Sequence, residues 1–597
     1  MDRVFLVVSQ PDPCRGLDGG NGVRCFIRFW PRLQIATSCY SVSHQFLMAA
    51  AGVTPIVVEV IPLSIAKNLP DRSYEKRKAA AMELEHFLRD LQDKQDEPAI
   101  RAVLDTLRTE YAENPNPNRR KGGLIGLAAV AIALHETALS FLDPILRPTL
   151  ALLSDDDPRV RYYACEALYN ITKVVRGHVL VAFNQMFRDL CKLHAESDKD
   201  VRNAAQLLDR LVKDVVTESE FFDIEQFIPL LRETVGSQDM YVRQFVIGWI
   251  TVLDSVPDIE MLEFLPEFLG GLFDMLADSN KDIRQQADAA LEEFLHEIKN
   301  TVDKDSAESA PSSSVASISF SRMIQILVSQ CGATEKPAIC RINALNWLQE
   351  FIDIEQTHGL GSIMNSLGNM CRAIIHCISS EDTPISQKAD QTNNSLLQLF
   401  SETKIPEDQK SMIVKSLLES ISKYLLPSAP SEPIPTRTRI ATLKWISTML
   451  ATSTEAVSPY LDSLYPVLLT TLSAEDDVVL SIDIKVLAKI ASIGKPYFES
   501  VIKNIMRLFA SNQKLLDSRG GVIIRKISVL LDPDHTFRTI ANLLVAETDM
   551  VFASTMVQTL NLILLTSSEL FELREYVKRS LQTESGRELF VTLYNSW

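Results

Sequence analysis

Apolar residues recur along this chain at one helical spacing. Counted from Val242, the residues Phe245, Val246, Trp249, Ile250 and Leu253 stand at offsets 3, 4, 7, 8 and 11, a single face of a helix with 3.6 residues per turn. Val160, Tyr163, Ala164, Ala167, Leu168 and Ile171 repeat those offsets. A second apolar run with its own proline precedes each face: LRPTLALL around Pro148, FIPLL around Pro229, FLPEFL around Pro266. An acidic turn separates the runs, so each unit is predicted to be helix, turn, helix. Asp157, Asp200, Asp239 and Asp282 are placed to cap the free amides that open the second helix, and Pro158 suits its first turn.

The units repeat. Arg77, Arg120, Arg161, Arg202, Arg243 and Arg284 each sit at the same place in a short amphipathic pattern, at steps of 43, 41, 41, 41 and 41 residues. One amphipathic helix pair cannot bury its face alone, whereas stacked pairs share a continuous core. Pairs at this period belong to the HEAT/armadillo class, so the expected fold is an all-α solenoid. The register continues in weaker form: Arg341 precedes Trp347 and Arg439 precedes Trp445 by six residues, as Arg243 precedes Trp249. Ser386, Leu480 and Arg525 mark further degenerate copies. Gly122, Gly123, Gly126 and Leu127 fall on buried offsets, which predicts an unusually close helix approach there. The ladder arginines are expected to reach the turn aspartate of the neighbouring unit, a structural role and not a binding strip.

Composition sets limits. The chain has 597 residues, 46% of them hydrophobic, with a formal net charge of −17. That charge excludes a general nucleic-acid or anionic-membrane binder, which needs a basic face. The compact basic triplet Arg119-Arg120-Lys121 is read as solvated surface. Nine cysteines without zinc-type pairing fit free thiols in a reducing cytosol. No run of about 18–20 apolar residues is expected to span a bilayer. His135-Glu136 and His296-Glu297 begin the H-E-x-x-H zinc motif, but Leu139 and Asn300 stand where the second histidine belongs. No phosphate-binding glycine loop is present, and the adjacent His376 and Cys377 diverge on a helix. No catalytic residue, metal or cofactor is therefore expected. Residues 1–60 lack the register and read as a disordered extension. Residues 61–300 carry the regular repeats, 301–320 a Ser-rich loop, and 321–535 divergent repeats with a Pro-rich loop at 427–435.

Several runs resemble a known family: DRSYEKRKAAAMELE, RKGGLIGLAAVAIAL, RVRYYACEALYNITKV, RQFVIGWITVLDSVPDI and LPEFLGGLFDMLADS, with HTFRTIANLLVAETDMVFASTMVQTLNLILL nearer the end. They are similar to the HEAT-repeat vacuole-morphology scaffolds of the PIKfyve complex. The resemblance implies a non-enzymatic scaffold that joins a PIKfyve-type lipid kinase, which makes phosphatidylinositol 3,5-bisphosphate, to a Sac-type phosphoinositide phosphatase. It also implies a cytoplasmic protein held peripherally on endosomal or vacuolar membranes through its partners. Kinase binding maps by resemblance to about residues 104–193, where the exposed candidates are Arg119, Lys121, Arg159 and Glu166. Residues 536–597 correspond to the start of the family's phosphatase-binding and self-association region. Family members run on well beyond LYNSW, so the sequence reads as C-terminally truncated, and both properties depend on that region. Periodicity alone fits equally another HEAT scaffold, a transport receptor or the structural subunit of a protein phosphatase. A hydrolase concealed in residues 301–510 is the rival of a different class.

Overall fold

The computed structural model describes residues 60–220, 222–307, 318–359, 361–424 and 434–597. Most of the expected N-terminal extension and Pro-rich loop, and residues 308–317 of the Ser-rich loop, lie outside the described residues. Helices account for nearly all regular structure, and no strand occurs among the described residues. The chain divides into two compact units, one ending at Val256 and one running from Pro257 to Trp597, with residues 231–237 counted in the second. Each is a stack of antiparallel helix pairs, the architecture predicted from the period.

In the first unit the arginine-bearing helices Tyr74–Asp93, Pro117–Leu134, Pro158–Val175 and Lys199–Glu218 pack side by side. Every position of the Val160 pattern except Tyr163 is buried. Prolines occupy the interior of the first helices at Pro148 and Pro266. There the missing amide interrupts the hydrogen-bond ladder. Trp249 is fully buried among Phe183, Phe187, Phe227 and Phe245. Its indole N–H donates to Asp209 at 2.8 Å, so the polar end of the ring is not left unpaired. Trp445 repeats the arrangement in the second unit by donating to Asn393 at 2.8 Å.

The glycine expectation has a direct geometric basis. A Cβ on Gly122 would lie 2.5 Å from the Leu69 carbonyl oxygen, and one on Gly123 would lie 2.9 Å from the Ala112 nitrogen. Only hydrogen fits between these backbones. The same helix corrects the expectation about membranes. The stretch Pro117–Ser154 is long and apolar enough to cross a bilayer, because small residues raise its hydropathy without adding bulk. It serves as a core helix: from Gly122 to Leu134 every residue except Ile125 is buried.

Two of the four expected caps are shifted. Asp157 and Asp239 cap as predicted. Asp200 and Asp282 instead lie inside the first turn, and the caps are Asp198, accepting from the Asp200 and Val201 amides, and Asn280, accepting from the Asp282 amide at 2.8 Å. Either acid of a D-x-D or N-x-D pair satisfies the sequence rule. Only the residue with extended backbone can turn its side chain onto the amides that follow it. Asp198→Ala should therefore cost about 1 kcal/mol in urea unfolding, and Asp200→Ala a few tenths. Equal losses would return the cap to Asp200. The helix that opens at Lys281 runs on to Ala307, into the region expected to be loop.

Candidate functional site

Five of the ladder arginines share one contact. Arg161 donates through one terminal nitrogen to the carbonyls of Asp155 at 2.6 Å and Asp156 at 3.1 Å, six and five residues back. Arg77 does so to Asp71 and Arg72, Arg120 to Asn114 and Pro115, Arg202 to Glu196 and Ser197, and Arg284 to Asp278 and Ser279. Each of these five guanidiniums thus closes its own interhelical turn. Arg243 contacts the side chain of Gln238 in its turn.

The second contact varies, and the variation matters. Arg120 lies 2.7 Å from the Asp155 carboxylate and Arg161 lies 2.6 Å from that of Glu196, each in the next repeat. The neighbour's aspartate expected for every rung is present at Arg120 but is a glutamate at Arg161. Arg202 meets a ring instead, with its guanidinium 5.4 Å from the centre of Tyr241. Arg77 reaches past the Pro117–Leu134 helix to donate to the Tyr163 hydroxyl at 2.7 Å, and its guanidinium sits over the Tyr74 and Tyr163 rings. Phenol is a neutral acceptor. The Arg77 charge, 3% exposed as a residue, is therefore not matched by a carboxylate ion pair.

Around Arg77 the fold gathers residues from three repeats: Tyr74, Lys121, Arg159, Tyr162, Tyr163 and Glu166. Tyr162 and Tyr163 meet edge to face with centroids 5.4 Å apart. Burial, then the charges of Arg77, Arg159 and Arg120, pulls the Lys121 ammonium below its usual range, against an opposing pull from Asp157. Lys121 has no hydrogen bond or ion pair among the described residues. Arg159, exposed, lies 3.2 Å from Asp200. Arg119, partly exposed, is 3.8 Å from Glu110 and near the Tyr111 ring.

Glu166 departs from expectation. It was read as exposed, but its side chain is largely enclosed and Oε2 is shielded from water without a hydrogen-bond partner. Burial pushes its carboxyl up to about 8, opposed by the Arg77 charge, so at neutral pH it carries a proton. Desolvation also raises the Tyr162 phenol to about 12. The helical offsets correctly put Glu166 off the core face. They could not register that an arginine and three tyrosines from two non-adjacent repeats close over that position.

The other sequence candidates stay apart from this cluster. His135 interrupts its helix at a φ of 45°. Cys377 turns its sulfur to the Cys331 carbonyl at 3.2 Å, beside Arg341 at 3.6 Å, so it points into the core. No group of three or more His, Cys, Asp or Glu able to hold a metal occurs among the described residues.

Two family descriptions match the sequence. The Vacuolar 14 Fab1-binding region matches residues 118–214, which contain Lys121, Arg159 and Glu166, and the Vacuolar protein 14 C-terminal Fig4p-binding region matches 513–597. A VAC14 homologue from Arabidopsis thaliana is 44% identical over 540 residues, covering 90% of this chain and 68% of its own. One from Schizosaccharomyces pombe is 31% identical, covering 89% and 75%. Among solved structures, the Kap95:Nup1 complex is similar at a TM-score of 0.30 and 14% identity, covering 93% of this chain and 73% of that one.

Proposed function

Because the chain belongs to the VAC14 family, we propose that it is a non-catalytic scaffold joining a Fab1 or PIKfyve-type lipid kinase to a Fig4 or Sac-type phosphatase. In this role it controls phosphatidylinositol 3,5-bisphosphate on endosomal and vacuolar membranes, where it is held through its partners. The observation that carries the reading is the presence of both matched regions, 118–214 and 513–597, on one chain. A stack of helix pairs suits this work. Tethering two enzymes to one array raises their effective concentration, worth about 10²–10⁴ in avidity without any new contact between them. Arg119, Lys121, Arg159 and Glu166 are the proposed kinase contacts.

The test is reconstitution with the full chain, the kinase and the phosphatase. Phosphatase is expected to co-purify with tagged kinase only when the chain is present. Recovery of the two enzymes together at the same level without it would remove the scaffold reading.

A further inference from the structure

We propose that the patch formed by Arg77, Lys121 and Arg159 among Tyr74, Tyr162 and Tyr163 receives an acidic segment of the kinase partner. This rests on the kinase reading above and names the chemistry of its contact. Three successive repeats each contribute one cation, and the carboxylates that compensate Arg120 and Arg161 have no counterpart at Arg77 or Lys121. Arg120 and Arg161 lie within 2.7 Å and 2.6 Å of carboxylates in the next repeat, whereas Arg77 is given only carbonyls and a phenol. Lys121 has neither a carboxylate nor a carbonyl. Arg159 is held by Asp200, but on the exposed rim where the pair can open.

Leaving desolvated cations unneutralised costs stability, and the natural remedy is an anion from outside. Tyrosine and arginine are also the residue types that dominate protein–protein hot spots, since they offer large rigid faces with a polar end. A protein partner fits better than a bilayer, because a chain of net charge −17 is repelled by an anionic membrane beyond the reach of one small patch.

Glu166 supplies a signature. The charged and titratable groups facing it are Arg77 and Tyr74 from a neighbouring helix and Tyr162 and Tyr163 on its own; Lys121 acts on it through Arg77, and Asp200 through Tyr162. Protonated, Glu166 leaves the charge of the patch wholly cationic. Ionised, it cancels part of that charge and weakens the attraction for an incoming carboxylate. Affinity should therefore fall as pH rises through about 8, the value to which burial lifts this carboxyl. Glu166→Gln stays neutral at every pH and should flatten that profile.

The experiment measures capture of the full kinase by the full chain at low and moderate salt, from pH 6.5 to 8.5. A parallel arm uses sedimentation with vesicles containing phosphatidylinositol 3-phosphate. Lys121→Glu should weaken kinase capture about ten-fold or more, and Lys121→Gln several-fold, and the affinity of the unmodified chain should fall with salt. Because Lys121 has no partner to lose, Lys121→Gln should melt at or above the unmodified temperature, which separates lost binding from lost folding. Capture by the unmodified chain with no change in either variant would overturn the acidic-segment inference and leave the kinase reading intact. Failure of the unmodified chain to capture kinase would overturn the kinase reading itself. If Lys121→Glu abolished vesicle binding and spared kinase capture, the anion would be a lipid and the inference wrong.

Discussion

Gly122→Ala is expected to lower stability by about 1–2 kcal/mol, although alanine is the better helix former. Two effects oppose each other. Inside a helix, alanine gains about 1 kcal/mol over glycine by restricting the unfolded chain and covering the backbone. Against this, the new methyl would stand 2.5 Å from the Leu69 oxygen, 2.9 Å from the Leu69 carbon and 3.3 Å from the Pro70 nitrogen. All three are backbone atoms, which cannot rotate away as a side chain tip would. The helix Leu63–Asn68 and the helix Pro117–Leu134 must separate, and overpacking of this kind costs about 1–3 kcal/mol, occasionally more. In a unit of this size the net change corresponds to a melting shift of roughly 2–8 °C. Gly521→Ala is the matched control: its φ is −60° and its added Cβ would meet nothing within 4 Å. It should be neutral or stabilising by about 0.5 kcal/mol. If Gly122→Ala behaved like Gly521→Ala, the close approach would not exist.

How far the sequence could be read follows from the same elements. The stack was legible because burial imposes the offset pattern on every unit, and because the arginine performs one local task, closing a turn five and six residues behind it. Tasks defined within a few residues leave a fixed spacing, and spacing is what a sequence displays. The caps were legible only to within two residues, since Asp198 and Asp200 are chemically alike and backbone conformation decides between them. The cationic patch was half legible. Lys121 and Arg159 stand out as exposed cations, but the spacing of Arg77 places it with the structural ladder and gives no sign that it belongs with them. Its second contact, Tyr163, lies 86 residues away across an intervening helix. No local rule encodes that pairing. The burial of Glu166 is hidden for the same reason, because Tyr74 and Arg77 reach it from another repeat.

The degenerate repeats show how a local task can be transferred, and they lead to the second expected result: Arg519→Ala should cost about 2 kcal/mol, although Arg519 stands outside the arginine register. In the repeat opened by Asp477–Ala491, the ladder position is Leu480, 1% exposed and unable to donate a hydrogen bond. The turn carbonyls six and five residues before it are those of Ala474 and Glu475. Arg519, from the next repeat, donates to both, at 2.9 Å for Ala474. Hydrogen bonds from a charged donor contribute about 1.5–3 kcal/mol where partly buried, less where water competes, and the Glu475 carbonyl is exposed. Arg161→Ala should cost somewhat more, about 3 kcal/mol, because it also strands the Glu196 carboxylate. The decisive comparison is a double-mutant cycle in urea. Leu480→Arg in the unmodified chain places a second cation at carbonyls already occupied and should be harmful. In the Arg519→Ala background the same change returns a donor to its ladder position and should be far less harmful. The cycle should show a favourable coupling above about 1 kcal/mol, beyond the scatter of independent sites. Strict additivity would mean that the two positions do not serve the same turn, and that Leu480 marks a repeat whose carbonyls are left to water.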